Sequence, residues 1–280
     1  MTKSVVTKTT YAELGDGSIQ FTFSIPWKEI QKKRDKKALE IGEGLTLPGF
    51  RKGKAPLAKL LAHIAKEDLV EKTLNDMLPK LFTDAVNEHE ARPAILPRFE
   101  LVSVEAGSDW QVRATTCNLP DVTLGDYKKH LNGLFIGKKN EPSKEEKEQL
   151  AMDSVLKNVQ VDIPQLLVSE EVNSRLARLL EKIEKLGLNI DNYLASLKKT
   201  PDELRKEYKE AAEKAIKLDL ILNKIYDEEK LEIKDSEFEE YVKAAESDPN
   251  FIADSDEQKR AILSVLRRRK ALDKLVASMG

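Results

Sequence analysis

The sequence predicts an α+β N-terminal domain, in which an antiparallel sheet packs with long helices, followed by an all-α C-terminal domain of helical arms. Three observations carry this. Ser18–Ile25 alternates with period two, placing Ile19, Phe21, Phe23 and Ile25 on one face of a strand. Leu69, Val70, Leu74, Met77, Leu78, Leu81, Phe82, Ala85 and Val86 cover one face of a helix, as a helix lying on a sheet requires. Beyond Ile163 every patterned segment has helical spacing and carries helix-end signals.

In chain order, the β-branched stretch Ser4–Thr10 and the strand at Ser18–Ile25 flank Gly15-Asp16-Gly17 and read as a hairpin. Pro26 can open a helix, predicted from Trp27 to Ile41, because a helix start has no use for the missing N–H. Pro56 opens another, with Leu57, Leu60, Leu61 and Ile64 at helical spacing. Pro79 falls inside the long stripe and removes one backbone donor, so a kink is expected near Asn75–Pro79. Phe99–Val104 and Gln111–Thr116 read as two strands around the turn at Ala106-Gly107-Ser108-Asp109.

The composition then shifts to Pro, Gly and charge, which predicts domain 1–120, a linker over 121–162 and a helical domain over 163–280. In the last, Val168, Val172, Leu176, Leu179, Leu180, Ile183 and Leu186 form a stripe that Gly187 can cap. Thr200-Pro201-Asp202-Glu203 is a capping box ahead of Leu204, Tyr208, Ala211, Ala215, Leu218, Leu222 and Ile225. Further helices are predicted over Ser236–Ala245 and Asp256–Val276.

Charged residues make up 34% of the 280 residues and the hydrophobic class 40%, a balance that suits long, solvated helices over modest cores. The 47 Lys and Arg nearly cancel the 49 Asp and Glu, so only a local patch could select an anionic partner. A single cysteine, Cys117, rules out an internal disulfide framework and favours a reducing compartment. Met1–Gln20 lacks the apolar core of a signal peptide and no apolar run approaches about 20 residues, so a cytoplasmic protein with no membrane partner is expected. His63, His89 and His130 are too scattered to hold a metal, and the region Gly49–Ala55 lacks both the spacing and the Ser or Thr of a phosphate loop. Neither a catalytic set nor a cofactor site is expected.

One local patch does stand out. Between Lys28 and Lys54 nine basic residues face four acidic ones, a local net charge of +5. The patch ends in Leu47-Pro48-Gly49-Phe50-Arg51-Lys52-Gly53-Lys54-Ala55-Pro56, whose glycines and prolines imply a tight exposed turn. An aromatic beside Arg and Lys at such a tip suits an anchor, Phe supplying apolar area and Arg bidentate contacts. The alternative is a solvated turn with Phe50 tucked inward.

Gly49-Phe50-Arg51-Lys52-Gly53-Lys54-Ala55-Pro56 resembles the ribosome-docking signature of the trigger factor family of bacterial chaperones. The resemblance continues through Arg92-Pro93 and Leu119–Tyr127. It resumes at Ile163-Pro164, Glu170-Glu171-Val172, Asn192-Tyr193-Leu194 and Lys199–Arg205, similar to the family's helical client-binding domain. It implies docking beside the exit tunnel, to ribosomal protein and RNA, through Gly49, Phe50, Arg51, Lys52 and Gly53. It also implies an ATP-independent chaperone whose arms shield nascent and unfolded polypeptides; off the ribosome, a homodimer is a further state to consider. Leu180, Ile183, Tyr193, Leu197, Tyr208 and Tyr226 are the apolar candidates for client contact. The family usually inserts a prolyl isomerase barrel between these domains, whereas Lys128–Asp162 is 35 residues here, below the roughly 40 at which unaided domains fail. No isomerase activity is therefore expected. An RNA-binding module using residues 28–54 and a residual isomerase are the competing readings.

Overall fold

The computed structural model describes residues 7–132, 142–246 and 255–279. The chain forms two compact units, one of residues 1–119 with 164–167 and one of residues 120–163 with 168–280.

In the first unit, strands β1 (Lys8–Glu13), β2 (Ser18–Ile25), β3 (Arg98–Ser103) and β4 (Trp110–Cys117) form an antiparallel sheet in the order β1-β2-β4-β3. The register sets Phe21 beside Tyr11 and Ala114, and Val112 beside Phe23 and Leu101. The period-two pattern is thereby converted into one apolar face. Helix α1 (Trp27–Gly42), the short α2 (Leu57–His63) and α3 (Lys66–Glu88) complete the unit. Leu74, Met77, Leu78 and Ala85 of α3, with Ile30 of α1, close over Ile19, Phe21, Phe23 and Trp110. Pro79 does not end α3, which runs unbroken through it, and Thr83 Oγ1 donates to the proline carbonyl at 2.9 Å. The start of α1 is fixed from a distance. Pro26 has no side-chain acceptor for the helix, and the Asp109 carboxylate in the β3–β4 turn accepts the Trp27 N–H at 2.8 Å instead.

The second unit corrects the expected linker. Residues 121–162 contain α4 (Tyr127–Asn132) and α5 (Lys144–Asn158), and residues 133–141 between them lie outside the described residues. Leu124, Tyr127, Leu131, Ala151, Val155 and Val159 are buried in one core with Ile221, Leu222 and Ile225 of α8 (Pro201–Glu228) and Ala271 and Leu275 of α10 (Asp256–Ala277). The first six residues of α5 are all polar or charged and its five apolar residues fall between Leu150 and Leu156, which is why its composition reads as linker while its second half packs. Ser143 caps α5 in a reciprocal box with Glu146. Helix α6 (Gln165–Lys185) packs on α8 through Val168, Val172 and Ala212, ringed by Leu176, Tyr208 and Ile216. The turn after α6 uses Gly187 at φ +70°, where Leu188 N donates to Ile183 O. Helix α7 (Ile190–Leu197), unforeseen in the sequence, is capped by Asn189, and α8 opens with the expected Thr200 box. Helix α9 (Asp235–Ala245) precedes α10.

Candidate functional site

The loop between α1 and α2 is a folded turn. Phe50 N donates to Leu47 O at 3.0 Å, Gly53 N to Leu45 O at 3.2 Å and Lys54 N to Arg51 O at 2.9 Å, while Leu47 is buried beneath it. Gly49 and Gly53 hold φ of +81° and +73°, conformations that side chains with a Cβ resist. A Cβ on Gly53 would also stand 3.2 Å from Glu43 O. The turn leaves Arg51 and Lys52 exposed and Phe50 half-buried, between the two alternatives that the sequence allows. At the base, buried Gly42 abuts Leu60, whose Cδ1 would lie 2.5 Å from any added Cβ, so α1 and α2 approach closely and fix both ends of the loop.

The +5 charge of this region is unevenly available. On α1, Lys33 pairs with Asp76 at 2.9 Å, Lys37 with Glu40 at 2.8 Å, Lys36 with Glu40 at 3.7 Å and Arg34 with Asp35 at 2.8 Å. The Asp76 carboxyl is held below the ordinary carboxylate range, first by its hydrogen bond from Lys33, and Lys37 is raised, first by its hydrogen bond to Glu40. Arg51, Lys52 and Lys54 form no ion pair with any described residue, and nor do Lys28 and Lys32 on α1, so three of the five unpaired cations lie in the loop.

The apolar candidates of the second unit divide. Leu180 and Leu197 are exposed; Tyr193 and Tyr208 are half-buried, Tyr208 in the ring around the α6–α8 core. Ile183 is only 4% exposed and Tyr226 9%, which removes both from the accessible set. Ile183 lies on the inward side of the α6 stripe, and Tyr226 belongs to the α5–α8–α10 core with the Arg267 guanidinium 5.1 Å from its ring centroid. Leu186 at 75% exposure and Leu188 at the α6–α7 turn extend the apolar surface past the predicted residues. For Leu186 the signal is the stripe continuing to the Gly187 cap, where it stands exposed among the described residues.

Among the described residues no group of His, Cys, Asp and Glu could hold a metal ion, and no helix is long and apolar enough to cross a membrane. Cys117 is buried, and burial raises its thiol pKa.

The family models for the N-terminus and the C-terminus of bacterial trigger factor protein match residues 7–155 and 123–277 respectively. The chain belongs to the bacterial trigger factor family. Its relatives include trigger factors of Streptococcus mutans, 36% identical over 38% of this chain and 25% of the relative, and of Lactococcus lactis, 33% identical over 42% and 28%. The trigger factor of Listeria welshimeri is 29% identical over 57% of this chain and 36% of that protein. The aligned part thus spans about a quarter to a third of the curated relatives it matches. A solved structure from work on promiscuous substrate recognition in the folding and assembly activities of the trigger factor chaperone shares the fold, with a TM-score of 0.68 at 13% identity over 98% of this chain and all of that one. The two trigger factor models overlap at 123–155, where the chain carries α4 and α5.

Proposed function

We propose that this trigger factor is an ATP-independent chaperone of the bacterial cytoplasm that docks beside the ribosomal exit tunnel through Phe50, Arg51 and Lys52, with Gly49 and Gly53 shaping the turn. The observation that carries the reading is the hydrogen-bonded α1–α2 turn, which offers a half-buried aromatic and cations free of described partners. Docking raises the effective concentration of the apolar arm surface at the emerging chain, so single client contacts can be weak. Leu180, Leu186, Leu188 and Leu197, with the half-buried Tyr193 and Tyr208, supply that surface. The chain holds nascent and unfolded polypeptides without isomerising prolines. The ion pairs of Lys33, Lys36 and Lys37 weigh against an RNA-binding module spread over residues 28–54, because they leave only Lys28 and Lys32 of the α1 lysines without a described carboxylate.

Co-sedimentation with ribosomes at moderate salt, of the wild type and of a Phe50→Ala, Arg51→Ala, Lys52→Ala variant, tests the reading. The variant is expected to stay folded and to lose pelleting; equal pelleting removes the docking assignment. A proline-limited refolding assay is expected to show no acceleration of the slow phase, and acceleration would restore the isomerase reading.

A further inference from the structure

We propose that the first unit carries a second polypeptide-binding site, a groove between α3 and the inner face of β3 that takes an amphipathic helix with lysines or arginines along one flank. The groove lies within residues 66–104 and has a volume of about 580 Å³, inside the range of about 300–1,000 Å³ of binding clefts. Val70, Leu74 and Leu78, at successive four-residue steps of α3, form its floor. Phe99, Leu101 and Val104 stand opposite. Phe99 and Leu101 alternate onto the sheet's apolar face, beside Ala114 and Val112, yet remain 39% and 49% exposed. The Phe82 ring, one turn beyond Leu78, meets Phe99 edge-on with centroids 6.3 Å apart.

The lining selects the occupant. From Glu67 to Leu78 the α3 wall runs for about 16 Å at roughly 1.5 Å per residue, the length of about three helical turns. A helix satisfies its own backbone hydrogen bonds, so it docks through side chains alone and asks nothing of the β3 backbone. Its i, i+3/i+4 and i+7 residues enter between the two apolar rows. Arg98 and Glu100 alternate onto the other face of the sheet and take no part. Beside the floor, Glu67, Glu71 and Asn75 form a parallel row on α3. Neither glutamate forms an ion pair with any described residue, and Lys66 is the one cation among the lining residues. That excess of negative charge favours a helix with a basic flank and disfavours an acidic one. None of these residues belongs to the docking turn or to the arm surface.

Fluorescence anisotropy of the full chain with a labelled amphipathic peptide, leucines on one face and lysines along its flank, tests the proposal. Leu101→Lys, at an exposed position, is expected to weaken binding about tenfold with the far-UV circular dichroism unchanged. Glu67→Lys with Glu71→Lys, two exposed changes that leave both apolar rows intact, is expected to reverse the preference toward a peptide with glutamates in place of the lysines. A peptide with proline at a central solvent-facing position, which breaks the helix, is expected to bind about tenfold more weakly. Equal binding of the proline peptide overturns the helical occupant. Binding that ignores Leu101→Lys overturns the site, and an unchanged preference in the charge-reversed variant overturns the basic flank. Binding lost instead in Leu180→Lys places the peptide on the arms and overturns the site as well. A self-association that Leu101→Lys abolishes with no peptide present has the same consequence, because the occupant is then a second copy. None of these readouts involves ribosomes, so they are separable from the pelleting experiment.

Discussion

Leu131→Ala separates a packed helix from a linker. Leu131 lies on α4 in the region that composition assigns to a connection, yet it is fully buried with Leu124, Tyr127, Val155 and Val159. The substitution removes three buried carbons, worth about 2–3 kcal/mol at roughly 0.8 kcal/mol each. Incomplete collapse of the surrounding side chains adds a cavity term, giving a loss within the range of about 2–5 kcal/mol seen for buried leucines. With an m-value of about 2 kcal/mol/M, the urea midpoint followed by far-UV circular dichroism should fall by about 1 M or more while m stays constant. Lys157→Ala, at an exposed position on α5, should change stability by no more than about 0.5 kcal/mol. A Leu131→Ala midpoint indistinguishable from that control would show that α4 does not share the core, and the linker reading would stand.

Other perturbations test the remaining parts. Asp109→Ala leaves the Trp27 N–H at the start of α1 without its acceptor and should cost about 0.5–2 kcal/mol in thermal or urea unfolding, with Asp109→Asn recovering most of it. Gly53→Ala forces a Cβ into the left-handed region, at a cost of about 1–2 kcal/mol, and toward Glu43 O, so ribosome pelleting should fall although no contacting side chain has been removed. Glu229 receives hydrogen bonds from Lys128 and Tyr127, and its pKa lies below the ordinary 4.5, with the Lys128 bond the largest cause. A depressed folded value means that this stabilisation is complete above about pH 4.5 and is lost as pH falls through the folded pKa, so Glu229→Gln should flatten the acid limb of the stability profile.

Much of the fold is legible in the sequence because its signals are local. The Ser18–Ile25 alternation, the α3 stripe and the Thr200 capping box each specify their element within a few residues, and the structure contains all three. What escapes is what depends on a distant partner. Helix α5 is short of apolar residues, and its burial is decided by Ile221, Ile225 and Leu275, more than 60 residues away. The acceptor for the α1 terminus comes from Asp109, 82 residues from Trp27. Ile183 and Leu180 are three residues apart on one stripe, and only the packing of α6 shows which of them faces water.

The same distinction governs where an anion can dock. Arg267-Arg268-Arg269-Lys270 on α10 is the densest basic run in the chain and by composition the first place to seek a polyanion site. Its members are already engaged: Arg267 over the Tyr226 ring, Arg268 with Asp219 at 2.9 Å, Arg269 with Glu148 at 2.9 Å and Lys270 with Glu237 at 2.8 Å. Those cations tie α10 to α5, α8 and α9, and drawing one away to a phosphate would strand its carboxylate. Arg51 and Lys52 have no such competing partner among the described residues, and the turn that holds them is built from backbone hydrogen bonds. An incoming anion there displaces only water. A smaller count of unpaired cations on a hydrogen-bonded turn is therefore easier for an anion to reach than a larger count folded into a bundle.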